Sequence, residues 1–134
     1  MSVDNELDRL MHAFLAAVSF DPGERPDYDA IRTLFIVDGM LIRNSGDAPE
    51  VTSVDEFIVP REALVDSGAL TAFFEGELDA ITEVFGTIAH RFSHYEKRGT
   101  QNGTSFEARG AISTQFVRTP HGWRMSSMAW DDER

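Results

Sequence analysis

The stretch Thr104-Ser105-Phe106-Glu107-Ala108-Arg109-Gly110-Ala111-Ile112-Ser113-Thr114-Gln115-Phe116-Val117-Arg118-Thr119 decides the fold. Successive side chains of an extended chain point to opposite faces. The even positions then read Phe106, Ala108, Gly110, Ile112, Thr114 and Phe116, and the odd positions Arg109, Ala111, Ser113, Gln115 and Val117. This is one long strand with a core-facing side and a mixed side. Pro120-His121-Gly122 turns the chain into a last strand, Trp123 to Asp131. On the other flank, Arg98 to Gly103 reads as a hairpin loop. Before it, Ile81, Val84, Phe85, Ile88, Phe92 and Tyr95 have strand-like spacing, with Gly86 as a turn or bulge between two strands.

Toward the N-terminus the period changes. Leu7, Leu10, Met11, Phe14, Leu15 and Val18 form one apolar stripe of an amphipathic helix, with Asp4 as the expected N-cap and a stop near Phe20, before Asp21-Pro22-Gly23. Pro26-Asp27 opens a shorter helix with Tyr28, Ile31 and Leu34 or Phe35 inward. Asp38-Gly39 is a turn signal between two short β-rich runs, and Asn44 to Pro49 is loop. Ser53 and Glu56 stand at the two positions of a capping box, which predicts a helix over Val54 to Val65 interrupted or kinked at Pro60. Ser67-Gly68 ends it, and a helical turn follows around Leu70 to Phe74. Helices first, then long antiparallel strands, is the α+β pattern, with helices covering one face of a curved sheet.

The chain has 134 residues, enough for one domain and one core, and 1–134 is read as a single domain. It has no cysteine, which excludes disulfides, thiolate metal sites and cysteine nucleophiles. The net charge of −11 argues against a general nucleic-acid binder. No apolar run approaches the ~20 residues that span a bilayer. Met1 to Glu6 is acidic and lacks the shape of a signal peptide, so a cytoplasmic location is expected. Residues 1–85 hold 5 basic and 18 acidic residues, and residues 86–134 hold 7 and 5. Eleven of the twelve basic residues are arginine, so the second half is either a neutral sheet beside an acidic helical half or a surface facing an anionic ligand or partner.

The segments Phe35-Ile36-Val37-Asp38-Gly39-Met40-Leu41-Ile42, Ala89 to Tyr95, Gln115 to Arg124 and Ala129 to Arg134, in this order of elements, resemble the NTF2-like superfamily. Within it the chain is similar to SnoaL-like, or DUF4440-like, bacterial single-domain proteins. The resemblance implies an α+β cone, with N-terminal helices packed on a curved antiparallel sheet around a deep pocket. It also implies a homodimer through the convex sheet face, and Trp130 as a pocket wall. Mildly apolar residues on both faces of the strands point to the same dimer. The first strand ends Leu41-Ile42-Arg43-Asn44, where steroid isomerases of this superfamily keep a general-base carboxylate, so that chemistry is not expected. The superfamily hosts enzymes and plain binders alike.

Several residues are candidates for chemistry. His90 and His94 share a strand face with Phe92 and Glu96, so His90 is a candidate acid/base with Glu96 as its orienter. The two histidines lie roughly 13 Å apart at strand rise, too far to share a metal. Ser93 and Tyr95 lie on the opposite face; Tyr95 donates to a ligand if that face is concave and belongs to an interface if it is convex. Arg43 either holds an anionic group or pairs with Asp47 or Glu50. Arg109 and Gln115 share a parity and either face a ligand or pair across strands. Trp123 and Trp130 are seven apart and point to opposite faces, and Asp131-Asp132-Glu133 reads as a solvated acidic tail. There is no phosphate-binding glycine loop, no HExxH and no nucleophile elbow, and no metal or cofactor is expected.

The leading expectation is a pocket for a small apolar ligand with one polar or anionic end. Phe92, Met128 and Trp130 form its walls, and Arg43, His90 and Gln115 orient the ligand. Two other readings stand beside it. One is a cofactor-independent lyase, isomerase or cyclase using His90; the other is a dimeric interaction module without a true ligand.

Overall fold

The computed structural model describes residues 2–134. It consists of a helix α1 (Val3–Val18), a 3-10 turn (Tyr28–Thr33), strands β1 (Phe35–Arg43) and β2 (Glu50–Ser53), a helix α2 (Val54–Asp66), and strands β3 (Leu70–Phe85), β4 (Ile88–Gln101), β5 (Thr104–Thr119) and β6 (Gly122–Asp132). The six strands form one open, curved sheet in the order β2-β1-β6-β5-β4-β3. Four of its five pairings are antiparallel; β1 joins β6 in parallel, and β2, α2 and the β3–β5 meander separate the two in the chain.

The apolar stripe of α1 is buried as a block: Leu7, Leu10, Met11, Phe14, Leu15 and Val18 all face the sheet. Its N-cap is Ser2 rather than Asp4, with Ser2 Oγ accepting from the Asn5 amide at 3.1 Å. The stripe ends at Val18, and the chain then bridges to the edge strand: Phe20 and Phe73 exchange backbone hydrogen bonds at 2.8 and 3.1 Å. These bonds occupy part of an edge otherwise open to another strand. α2 starts on the reciprocal capping box of Ser53 and Glu56, which satisfies two amides of the first turn. It runs through Pro60 as one helix.

Three sequence expectations are corrected. Asp38-Gly39 does not divide two strands. β1 is continuous there, with an irregularity between Phe35 and Met40 absorbing the glycine. Leu70 to Phe74 is strand, because it pairs with residues 98–101 of β4 rather than curling onto itself. The hairpin between β4 and β5 is tighter than expected, with Asn102 and Gly103 alone at positive φ (51° and 77°). That is the Asn-Gly turn favoured by strand twist.

Two bulges set which residues face inward. On β3, Glu77 pairs with Tyr95 and Asp79 with His94, so Leu78 is an extra residue. Glu75 and Glu77 face inward and Asp79, Ile81 and Glu83 outward. On β6, Met125 pairs with Phe116 and Ser127 with Gln115, so Ser126 is extra. This bulge corrects the expectation of opposed tryptophans. Trp123 is buried in the core, and Trp130 returns to the same inner face.

Candidate functional site

The inner face of the sheet, α1, α2 and the 3-10 turn enclose a cavity of about 400 Å³. Its floor is apolar: Phe14, Tyr28, Ile112 and Met128 are all buried. One wall is an aromatic run in which Trp130 meets Phe57 edge-on at 6.0 Å between centroids, and Phe57 meets Phe14 at 6.0 Å. The other wall is Phe73 against Phe106. Gly99 makes room for Phe106: a Cβ there would lie 2.7 Å from the Phe106 ring and 2.5 Å from the Ala72 carbonyl.

Five charged side chains line this aromatic space: Arg43, Glu50, Arg61, Glu75 and Lys97. Arg61 follows Phe57 by one helical turn, and its guanidinium lies 3.7 Å above the Phe57 ring. Nη1 donates to the Phe57 carbonyl at 3.0 Å. Among the described residues no carboxylate forms an ion pair with Arg61. Burial lowers its pKa, with Tyr28 and Glu50 opposing, yet a guanidinium stays charged at neutral pH. Arg43 enters from the end of β1 beside Trp130 and has one ion pair, with Glu50 at 3.8 Å. Lys97 is held by Asp132 at 3.0 Å. Glu75, opposite Lys97 in the ladder, lines the cavity, and its backbone amide is fixed by Ser19 Oγ at 3.1 Å. Burial pushes the Glu75 carboxyl up to about 7; Lys97 opposes the rise and Asp132 adds to it.

Behind Lys97 the polar network is closed. The Tyr95 hydroxyl donates to the Asp132 carboxylate. Burial alone would raise the pKa of Asp132, but the hydrogen bonds from Tyr95 and Lys97 outweigh it and hold the group below its ordinary range. Burial, then the bond to Asp132, pushes the Tyr95 phenol up. Asp132 is therefore part of β6 and of this network, which corrects the expectation of a solvated tail. Tyr95 lies on the concave face and is 1% exposed, so its hydroxyl is not offered to the cavity.

Of the sequence candidates, Arg43, Met128 and Trp130 come together at the cavity. His90, Phe92 and Gln115 lie on the opposite, convex face. The two-residue turn at Gly86-Thr87 pairs Phe85 with Ile88, which sends the even positions of β4 outward and Ala89, Arg91, Ser93 and Tyr95 inward. The expectation that these three residues wall or orient a ligand in the cavity is corrected accordingly. His90 Nε2 is 2.7 Å from Glu83 Oε1 on the neighbouring strand, not beside Glu96, and His94 makes the same kind of pair with Asp79 at 2.7 Å. Arg109 and Gln115 share the outer face. Among the described residues no three His, Asp or Glu side chains converge to hold a metal.

Sequence reasoning missed Arg61 and Glu75. Phe57 and Arg61 at i and i+4 on the helix opened by Ser53 and Glu56 were a signal for the first. Nothing in the sequence marked the second.

An open curved sheet wrapped round helices and a cavity defines the cystatin-like α+β cone. The chain has the NTF2-like form of that fold, as solved structures show. It is similar to an NTF2-like superfamily protein from Salmonella enterica serovar Typhimurium, with a TM-score of 0.81 and 14% identity over 98% of this chain and 92% of that one. An NTF2-like protein from Cytophaga hutchinsonii gives 0.76 and 15% over 99% and 100%. An NTF2-like protein of unknown function from Prochlorococcus marinus gives 0.78 and 17% over 100% and 95%. At these identities the likeness establishes the fold. No protein-family model and no curated protein matches the chain. Among the described residues no helix is long and apolar enough to cross a membrane.

Proposed function

We propose that this protein binds a small organic molecule with an apolar, ring-bearing body and an anionic end. The observation that carries the reading is Arg61: a guanidinium stacked on an aromatic ring at an aromatic cavity, with no carboxylate of its own. A planar cation with unused donors is suited to a carboxylate, which it grips through two parallel hydrogen bonds. Arg43, with its long contact to Glu50, is the second cation within reach of the same ligand end. The volume of about 400 Å³ suits a ligand of one to three rings.

The test is a thermal-shift comparison of aromatic and polycyclic carboxylates with their uncharged amides. Ligand at 100 Kd stabilises the folded state by about 2.7 kcal/mol. The carboxylates are expected to raise Tm and the amides to do so much less, and Arg61→Met should erase that difference while leaving the unliganded Tm near wild type. Equal shifts for acids and amides would refute the anionic end; no shift from any member would refute the pocket reading.

The convex face supports a second, compatible proposal, a homodimer. Ile81 is 70% exposed, Val51 56% and Phe92 48%, on a sheet face that no helix covers. Sedimentation should give a dimer for wild type and a monomer for Phe92→Asp, since a charge at such a contact is left unpaired. A wild-type monomer at high micromolar concentration would end this proposal.

A further inference from the structure

We infer that Glu75 is a catalytic acid–base group that moves a proton between carbon and oxygen of a 2-oxo acid held in the cavity, with the acid's carboxylate at Arg61 and Arg43 and its apolar ring among the aromatic walls. This rests on the binding reading above and assigns it a reaction. The geometry is the following. Glu75 lies on the inner face of β3 with its side chain on the cavity. Among the described residues its carboxylate accepts no side-chain hydrogen bond and joins no ion pair, although the other inward acids of the sheet are engaged: Glu77 by Arg91 and Ser93, Asp132 by Tyr95 and Lys97, and Glu50 by Arg43. A carboxyl taken out of water without a partner is costly, and that cost has no counterpart in the packing of this protein. The group is instead directed at the space a ligand would fill. Its backbone amide is anchored by Ser19 Oγ at 3.1 Å, which fixes this point of β3 beside the cavity.

The other groups in the cavity complete the chemistry. The cations supply a fixed grip on the carboxylate, and a gripped ligand presents one C–H to a fixed base. The ammonium of Lys97, oriented by Asp132, is the cation beside Glu75 on the neighbouring strand and lowers the energy of negative charge developing on a carbonyl oxygen. The step balances without a co-reactant. The Glu75 carboxylate takes the proton from the carbon next to the carbonyl, and the C–H electron pair becomes the C=C bond. The carbonyl π pair moves to oxygen, and Glu75, now protonated, delivers that same proton to the oxygen to give the enol. A carboxyl whose pKa is raised by burial to about 7 populates both of the forms such a cycle needs at neutral pH.

The probe is phenylpyruvate in deuterated buffer. Loss of the C3 proton signal measures proton abstraction, and saturation-transfer NMR on the same samples measures binding. Wild type is expected to exchange C3 at least about 100-fold faster than buffer, with the rate rising through pH 7. Glu75→Gln keeps size and polarity but not basicity; it should still bind and lose at least about 100-fold in exchange. Glu75→Asp should bind and retain part of the rate. Wild type that binds phenylpyruvate without accelerating exchange, or Glu75→Gln that exchanges like wild type, overturns the catalytic role and leaves the binding reading standing. Failure of wild type to bind phenylpyruvate, while other aromatic carboxylates bind, overturns the 2-oxo acid as the substrate class. A melting curve of each variant checks that the fold is intact.

Discussion

Arg91→Ala is expected to destabilise the protein by about 3–5 kcal/mol, because it strands a buried carboxylate. The Arg91 side chain is 6% exposed and that of Glu77 9%. The guanidinium grips Glu77 through Nε at 3.0 Å and Nη2 at 2.6 Å, reaches Thr82 at 2.8 Å, and ties Asp8 of α1 to the sheet. Without it, Glu77 keeps only the Ser93 hydroxyl at 2.6 Å and the exposed His12 at 3.6 Å. The pH dependence should distinguish this cause from lost packing. In wild type, burial would raise the pKa of Glu77, but the Arg91 and Ser93 hydrogen bonds outweigh it and the folded value is depressed. A depressed carboxylate contributes stability above its unfolded pKa and loses it as pH falls through the folded value. In Arg91→Ala only the Ser93 bond and distant His12 oppose the burial, so the deficit should be large at pH 7 and smaller at pH 4.5. Urea melts at the two pH values check this. A deficit independent of pH would assign the loss to packing, and Arg91→Met with Glu77→Leu should recover most of it by removing both charges.

Glu75→Gln is expected to do the opposite and stabilise the protein at pH 8, by up to about 3 kcal/mol. The sign follows from linkage. Folding raises this carboxyl from 4.5 to about 7. Between those values the folded state holds a proton that the unfolded chain has released, so stability falls as pH rises. Above pH 7 the whole difference has been lost. Glutamine cannot ionise, so the variant should gain nothing at pH 4 and most at pH 8, measured by the same melts. Equal stability of the two proteins at pH 8 would show that the carboxylate is solvated within the cavity. Glu75 and Glu77 are two residues apart on one strand and face the same way, yet they bend the stability curve in opposite directions, because only one of them has a cation in hydrogen-bond contact.

Those two residues also show where the sequence stops being legible. β5 could be read to its ends, since a strict two-residue period over sixteen positions has one solution. The stripe of α1 and the capping box of α2 were equally plain, because local spacing alone produces them. Glu75, Glu77 and Asp79 look like one solvated acidic face of an alternating strand. The extra residue at Leu78 divides them, two inward and one outward, and a bulge leaves no mark in composition. The same limit misplaced Trp123 relative to Trp130 through Ser126. His90, Phe92 and Gln115 were drawn to the cavity by their chemistry, but the turn at Gly86-Thr87 fixes the parity of β4 and turns them outward. Arg61 escaped notice because an arginine in mid-helix is ordinarily a surface residue; only the tertiary placement of Phe57 brings it over the cavity.

The bulge at Ser126 equips the molecule with two optical probes of different scope. The chain contains only two tryptophans, and the extra residue directs both inward: Trp123 into the packed core, 3% exposed, and Trp130 into the cavity wall against Phe57. With Trp130→Phe the remaining emission reports the integrity of the core. With Trp123→Phe it reports occupancy of the cavity, without any label attached to protein or ligand.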